Sequence, residues 1–376
     1  MPIEVESPEQ LGYDTIAYNL SESSVSDRRL SDLGLDFDLD ELLLCYGDHL
    51  GDPVLREAVA AGSTAGDITA DNVLVTPGAA AALFGIATSL LDPGDHMVVV
   101  RTNYATNLET PRAIGADIDI VDLEFDHGWQ LDVERVGALV RDGVTRLISV
   151  TCPHNPTGTI LSIAALQSLV ELAERSGAVL LVDETYRDLT HGSLVPMAAT
   201  LSTRAISVSS MSKAYGLPGL RVGWAVCRDA TLAETLLAAK EQMMICGPTL
   251  DEAIAGRVLA DRARILPPIL DDARARLAIV RDWLAGNTTF EWVEPSGGVV
   301  GLVRFRDEIE IDTPRFYESL LAEHGTYVGP GHWFEVDDRY FRLGYGWPTI
   351  AELRAGLAGV DACAATLVGS LERGGG

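Results

Sequence analysis

The feature that most constrains the fold is a regular alternation of short apolar runs with helical stretches, which begins at about Asp71. Residues 79–91 and Ile163–Ser176 have the pattern of helices. The apolar runs are of strand length and cover residues 72–76, 96–100, 118–123, 146–151, 178–182, 205–209 and 222–227. This alternation predicts an α/β fold with a mostly parallel sheet flanked by helices. Ligands bind at the carboxyl ends of the strands in such sheets.

The two ends of the 376-residue chain do not follow this alternation. Residues 1–44 are mostly polar and irregular, and we expect them to form an N-terminal arm. After about Ala273 the pattern changes to one long helix, mixed strands and a closing helix from about Thr349. We therefore predict a large domain over residues 45–272 and a smaller α+β domain that combines the arm with residues 273–376.

The composition argues against several classes of partner. The formal net charge is -27, and so acidic a surface repels nucleic acid and anionic lipid. No apolar stretch approaches the roughly 20 residues that a membrane helix needs, and the N-terminus does not resemble a signal peptide. The five cysteines are scattered without a close pair, so we expect a reduced, cytoplasmic protein. We assign no metal site.

Residues 207–224 carry most of the chemistry that the sequence offers. This segment follows a predicted strand and contains hydroxyls at Ser210 and Ser212, an amine at Lys213 and a guanidinium at Arg221. Hydroxyls and an arginine suit a phosphate dianion, since a guanidinium binds oxyanions through paired hydrogen bonds. A lysine beside them can form an imine with an aldehyde. The alternative, a surface loop with an incidental lysine, explains the whole combination poorly.

Polar residues also follow two other predicted strands. Asn155 precedes a proline, which favours an extended conformation at the rim of a pocket. Asp183 emerges from a buried strand, and a buried carboxylate needs a partner because its desolvation is costly. A protonated pyridine nitrogen is one such partner, and the alternative is that Asp183 caps a helix. Both segments support the same ligand as the segment around Lys213.

In order and spacing, these segments resemble class I/II aminotransferases, the fold-type I enzymes that depend on pyridoxal phosphate. The shared motifs are Asn155-Pro-Thr-Gly158, Asp183-Glu-x-Tyr186 and the serine–lysine string of residues 207–223. The resemblance extends from about Tyr46 to Arg342. It implies an aminotransferase that binds pyridoxal 5′-phosphate and acts on an L-amino acid and a 2-oxo acid.

The resemblance also implies roles for individual residues toward the cofactor. Lys213 would be the Schiff-base lysine and the proton shuttle, Asp183 would keep the pyridine nitrogen protonated, and Tyr104 would stack on the ring. These three residues are the expected catalytic residues, and Asn155 and Tyr186 would hydrogen-bond the phenolic oxygen of the ring. The phosphate would be held by the start of a helix and by the serine–lysine segment, through Gly78, Ala79, Ala80, Ser210, Ser212 and Arg221.

Two further implied roles concern the substrate and the assembly. Arg342 matches the arginine that binds the α-carboxylate of the substrate, and Asn155 and Ser23 are further expected substrate contacts. The alternative is that Arg342 pairs with a nearby acid such as Asp337. Tyr46 matches the tyrosine that reaches the phosphate from the neighbouring subunit, which implies a homodimer with shared active sites.

The chain departs from the family pattern at several positions. Ala79 and Ala80 stand where a hydroxyl residue is usual beside the helix start, so backbone amides would serve alone. Residues 19–25 lack the usual glycine of the arm, and residues 101–107 lack the usual proline before the tyrosine. The pair Asp48-His49 lies just after Tyr46, beyond Gly47. Drift in a divergent aminotransferase and a changed reaction both explain such departures.

The changed reaction would be that of a specialised enzyme that acts on amino acids without transamination. Arginine oxidases and hydroxylases and capreomycidine-type cyclases are examples. The acids Glu22 and Asp48 could suit a basic side chain on the substrate. A regulatory domain that binds the cofactor without catalysis is a weaker alternative, because the chain has neither the room nor the basic charge for an added DNA-binding domain.

Overall fold

The computed structural model describes residues 5–35, 40–63, 68–101 and 104–374, with side chains up to residue 368. Parts of the expected arm (1–4 and 36–39), residues 102–103 of the tyrosine segment and the last two glycines lie outside the described residues. The strands are β1 (Tyr18–Asn19), β2 (Val73–Thr76), β3 (His96–Arg101), β4 (Asp117–Asp122), β5 (Thr145–Thr151), β6 (Val179–Asp183), β7 (Ala205–Ser210), β8 (Gly223–Cys227), β9 (Phe290–Trp292), β10 (Val300–Phe305), β11 (Thr326–Tyr327), β12 (Gly329–Pro330) and β13 (Tyr340–Gly344). The α-helices are α1 (Pro8–Leu11), α2 (Pro53–Ala61), α3 (Gly78–Leu90), α4 (Thr106–Ile114), α5 (Val133–Leu139), α6 (Ile163–Ser176), α7 (Ala198–Leu201), α8 (Ala230–Met243), α9 (Thr249–Ala260), α10 (Arg262–Leu284), α11 (Thr313–His324) and α12 (Ile350–Gly374).

The central sheet has the strand order β2-β8-β7-β6-β5-β3-β4. Strand β8 is antiparallel to both β2 and β7, and the other neighbouring strands are parallel. Alternate residues of the middle strands pack into two separate apolar cores, one on each face of the sheet. The predicted α/β fold with a mostly parallel sheet is therefore confirmed, and each strand begins and ends within one residue of its expected bounds.

The register of the sheet brings the carboxyl ends of several strands to one edge. Thr151 of β5 pairs with Asp183 of β6, and Asp183 pairs with Val208 of β7. Thr76 of β2 and Ser210 of β7 both lie opposite Gly223, the first residue of β8. The loops that follow β2, β5, β6 and β7 consequently leave the sheet on the same side.

A second sheet, with the order β12-β13-β10-β9, is antiparallel throughout and shares one apolar core with α10, α11 and α12. The N-terminal segment joins this part through the parallel pair β1 and β11. It then runs toward the central sheet, because the amide of Gly344 donates to Leu20 O at 2.7 Å and that of Val25 donates to Lys213 O at 3.1 Å. The expected arm thus lies between the second sheet and the lysine segment.

Helix α10 begins at Arg262, earlier than the expected start near Ala273. Pro267 and Pro268 lie inside the helix. Because proline is a poor helix former, the sequence pattern does not predict that the helix begins before these residues. The expected boundary between residues 272 and 273 falls within this helix, and the division into domains stays a prediction. In the described part of the chain, no helix combines the length and the apolar character that a membrane span requires.

Candidate active site

Lys213 lies in the loop after β7, and the arm covers its amine. The Nζ atom donates to Ser23 Oγ at 2.9 Å, and the Ser23 hydroxyl also hydrogen-bonds Tyr186. Burial lowers the pKa of Lys213 below its ordinary value, so the neutral, nucleophilic form of the amine is more accessible. The sequence contains one other lysine, Lys240, which is buried elsewhere and donates to His49 O at 2.6 Å. Lys213 is therefore the amine that faces the strand ends.

Asp183 is the last residue of β6, and it is only 5% exposed. Its Oδ1 atom accepts from the Thr185 amide at 3.0 Å and from Thr185 Oγ1 at 2.5 Å. This is a local turn, and the next helical turn, Arg187–Leu189, has no side-chain cap, so Asp183 is not a helix cap. Burial raises the pKa of Asp183, and the positive charge of Lys213 opposes that rise. A buried carboxylate of this kind suits a protonated ring nitrogen, which would supply the missing positive charge.

A concave group of donors lies around the start of α3. Gly78 has φ +78, and a Cβ there would collide with the Arg221 guanidinium, so only glycine lets the two approach. Gly223 packs in turn against the peptide that joins Gly78 to Ala79. Arg221 is exposed, has φ 49 and donates from Nη1 to Pro218 O at 2.8 Å.

The chemistry of this donor group suits a phosphate. The first amides of α3, including those of Ala79 and Ala80, have no carbonyl partner within the helix and can bind an anion. Ser210 is buried at the end of β7, and its Oγ accepts from the Ser212 amide at 3.4 Å. Together with the Arg221 guanidinium, these groups can offset two negative charges. The residues present therefore fit the phosphate of the expected cofactor.

Arg342 reaches the same region from β13. Its Nη1 donates to Asn155 Oδ1 at 3.2 Å and its Nη2 donates to Ser21 O at 2.6 Å. The guanidinium lies 5.0 Å from the ring centroid of Phe334 and 5.8 Å from that of Trp333. These contacts fix the plane of a cation that is only 9% exposed, which suits a carboxylate ligand.

The acids near Arg342 in sequence are engaged elsewhere. Asp337 Oδ1 accepts from the Arg339 amide at 2.8 Å, and Asp338 Oδ1 accepts from the His332 amide at 2.8 Å. The Arg339 guanidinium donates to backbone carbonyls, those of Ile309 and Arg306. The contacts given for Arg342 thus favour a place in the site over a surface ion pair.

The two remaining expected tyrosines are exposed. Tyr46 is 81% exposed and lies beside the exposed apolar residues Leu43 and Leu44. Tyr104 is 44% exposed and precedes α4, directly after residues 102–103, which lie outside the described residues. The structure of a single chain thus does not bury either ring, in contrast to Tyr186, which is buried and whose pKa is raised by that burial to about 12.

Sequence reasoning missed one contact of the candidate site, and it did not indicate the partners of Asp48. Tyr13 donates from its hydroxyl to Glu22 Oε1 at 3.0 Å, and nothing near Tyr13 in sequence marks that contact. Asp48, which was expected to suit a basic substrate, accepts from Arg56 Nη2 at 3.0 Å and from the Leu50 amide. Its neighbour His49 pairs with Glu241, and both side chains are exposed. Arg56 is thus a partner of Asp48 within the chain, and a contact between Asp48 and a basic substrate stays a prediction.

An amine, a buried carboxylate and a phosphate cradle at one edge of an α/β sheet define a fold-type I enzyme that depends on pyridoxal 5′-phosphate. The sequence pattern of the family "Aminotransferase class I and II" matches residues 33–358. The chain belongs to this family, and transamination with pyridoxal 5′-phosphate is the activity that membership supports.

The individual relatives include two aminotransferases and one enzyme named as a synthase. Capreomycidine synthase of Streptomyces vinaceus is 34% identical over 86% of this chain and 82% of its own length. Arginine–pyruvate transaminase of Pseudomonas aeruginosa is 29% identical over 86% of this chain and 83% of its own. The crystal structure of a PLP-dependent aminotransferase from Streptococcus suis has a TM-score of 0.88 at 28% identity and covers 96% of this chain and 97% of its own.

Proposed function

We propose that Lys213 holds pyridoxal 5′-phosphate covalently and that the surrounding strand ends bind the ring and the phosphate. The burial of Asp183 supports a contact with the ring nitrogen, and Asn155 and Tyr186, which contact Arg342 and Ser23, would bind the phenolic oxygen. Tyr104 would cover the face of the ring. The phosphate would be held by Gly78, Ala79, Ala80, Ser210, Ser212 and Arg221.

When bound, the cofactor supplies an electrophilic carbon for the substrate amine and a ring that accepts electrons from the substrate Cα. Lys213 Nζ would take the proton from Cα and deliver it again, for which a lowered pKa is favourable because the neutral amine is the base. Asp183 would retain a proton on the ring nitrogen. Arg342, together with Asn155, would orient the substrate through its α-carboxylate, and Ser23 would position the Lys213 amine.

The reaction that these residues support best is the transfer of an amino group from an L-amino acid to a 2-oxo acid. The observation that carries it is the half-buried Lys213 amine, which donates to Ser23 and interacts electrostatically with Asp183 and Arg342. The holoenzyme should be mixed with a panel of amino acids and 2-oxo acids, and both products should be measured by mass spectrometry. Equal amounts of new amino acid and new oxo acid are expected, and their absence with every pair would contradict the proposal.

A second candidate is a specialised enzyme that rearranges its amino acid without passing the amino group on. The 34% identity to capreomycidine synthase over most of both chains favours it. Such an enzyme would consume its amino acid without any 2-oxo acid and would release a product that keeps the α-nitrogen. The panel without added 2-oxo acid therefore separates the two candidates, and oxygen consumption in that mixture would indicate an oxidase.

We further propose a homodimer in which Tyr46 completes the phosphate site of the partner. The exposure of Tyr46 and of the neighbouring Leu43 and Leu44 supports a surface that another subunit covers. Lys213→Ala protein mixed with Tyr46→Phe protein should regain activity, since each hybrid dimer has one site with neither change. Each parent protein, unmixed, is the control. Full activity of a monomer at high dilution would contradict the shared site.

A further inference from the structure

Glu22 lies beside the candidate active site, between Ser21, which accepts from Arg342, and Ser23, which accepts from Lys213. The backbone of Glu22 lies against Gly344, two residues beyond Arg342, and a Cβ at Gly344 would collide with Glu22 O. This contact holds the arm on β13, and Ser23 beside it receives the hydrogen bond from Lys213. Among the charged groups that act on the half-buried Glu22, Lys213 has the largest effect, and Arg342 also acts on it.

Both cations that offset Glu22 have other partners during the reaction. Lys213 would hold the cofactor until the substrate amine replaces it and would then serve as the neutral base, and Arg342 would bind the α-carboxylate of the substrate. Glu22 then retains the Tyr13 hydroxyl, 3.0 Å from Oε1, as a neutral donor. Burial already raises the pKa of Glu22, which means that its charged form is disfavoured. Removing both solvent and the neighbouring cations from this carboxylate would disfavour the charged form further. A positive charge on the substrate would offset that cost, and a negative one would increase it.

The groups around Glu22 also suit a cation. Tyr13 stacks on Trp347 with ring centroids 5.9 Å apart, and Trp347 donates from Nε1 to Asp27 Oδ2 at 2.9 Å. Glu9 adds a further negative charge that acts on both Glu22 and Lys213. A guanidinium can form two parallel hydrogen bonds with a carboxylate and can lie on an aromatic ring, whereas an ammonium is a point charge.

We propose that Glu22 selects amino acids with a cationic side chain, and a guanidinium above all, as substrates of this enzyme. The inference rests on the proposed function, in which Arg342 binds the carboxylate end of the same molecule. Glu22 is the specificity residue, and Tyr13 orients its carboxylate. Substrates with a carboxylate side chain are excluded because their charge would face Glu22 with Arg342 already occupied.

The first test compares L-arginine with L-citrulline, which has the same length but an uncharged end. The holoenzyme should favour L-arginine in kcat/KM, and Glu22→Gln should reduce that preference roughly 10- to 100-fold, as expected for lost hydrogen bonds to a charged group. Glu22→Asp keeps the charge and should keep part of the preference. Glu308→Gln removes one exposed carboxylate from a surface loop and should change nothing. An equal loss for both substrates would overturn the proposal, because Glu22 would then act on Lys213 or Arg342 alone.

The second test measures binding without reaction. δ-Guanidinovalerate has the carboxylate and the guanidinium of arginine but no amine, and δ-ureidovalerate is its neutral counterpart. Calorimetry should show tighter binding of the guanidino compound, and Glu22→Gln should abolish the difference. Equal affinities in the unmodified protein would overturn the proposal even if other amino acids are transaminated. Conversely, Glu22-dependent binding without any amino-group transfer would leave the proposal standing and contradict the transaminase function.

Discussion

Replacing Arg342 by lysine keeps the positive charge and removes the planar fork that the structure holds in place. The guanidinium donates to Asn155 Oδ1 at 3.2 Å and to Ser21 O at 2.6 Å, and its face lies 5.0 Å from the Phe334 ring centroid. A lysine ammonium can satisfy one of these acceptors, but it cannot present two parallel donors to a carboxylate in the same plane. We therefore expect the substrate carboxylate to bind less well.

The size of the effect follows from the bonds that are lost. One hydrogen bond between charged groups contributes about 1.5–3 kcal/mol, and each 1.36 kcal/mol corresponds to about tenfold in rate, so kcat/KM should fall by roughly 10- to 150-fold. The loss should be similar for every amino acid, because all share the α-carboxylate. The assay is steady-state kinetics on several substrates, with the absorbance of the bound cofactor as a check that its binding is unchanged.

Arg339→Lys provides the matched control, because Arg339 immediately precedes the same strand and also uses its guanidinium as a fork. Its partners are the backbone carbonyls of Ile309 and Arg306, at 2.9 and 2.6 Å, and none of these groups belongs to the site. This variant should lower the melting temperature and leave kcat/KM unchanged. If Arg342→Lys gives the same result as the control, Arg342 is structural and the substrate has been placed wrongly.

Three other predictions follow from buried charges. Borohydride reduction of the holoenzyme should fix the cofactor on Lys213, where peptide mapping would detect it. Lys213→Ala should abolish this label and Lys240→Met should not. Label on Lys240 would contradict the assignment. Asp183→Asn can still accept from Thr185 but cannot retain the ring proton. Turnover should therefore fall by at least about tenfold with little change in melting temperature. Unchanged turnover would mean that another group keeps the ring nitrogen protonated. Burial raises the pKa of Glu184 to about 7, so its contribution to stability is complete below its ordinary pKa and is lost as pH rises toward 7. Glu184→Gln should flatten the fall in melting temperature between pH 5 and 7. Parallel curves of melting temperature against pH for the two proteins would refute the shift.

The central sheet could be predicted from sequence because its strands are buried on both faces. Continuous apolar runs result, and polar residues mark the points where β5, β6 and β7 end. The start of α10 could not be predicted, because Pro267 and Pro268 suggest a break where the helix continues. Local composition therefore predicts the strands correctly, but it does not predict the start of a helix where packing outweighs the low helix propensity of proline.

The same distinction applies within the site. Lys213, Asp183 and Asn155 stand out because each follows a strand in a contiguous motif. The contact between Tyr13 and Glu22 has no such signal, since it depends on how the arm folds over β13. The pair of Asp48 with Arg56 likewise has no signal in the local sequence.

The candidate site is built from two parts of the chain, the strand ends of the central sheet and the N-terminal arm. The residues around the expected ring and phosphate come from strand ends of the central sheet, whereas Ser21 and Ser23 bring the arm to Arg342 and Lys213 across most of the chain. We therefore expect changes in the arm to affect the surroundings of Arg342 and Lys213 without disturbing Asp183. The chain is similar both to an arginine–pyruvate transaminase and to a capreomycidine synthase, so its sequence similarity alone does not separate the two candidate functions. We expect substitutions in residues 19–25 to change substrate preference or product more than cofactor affinity.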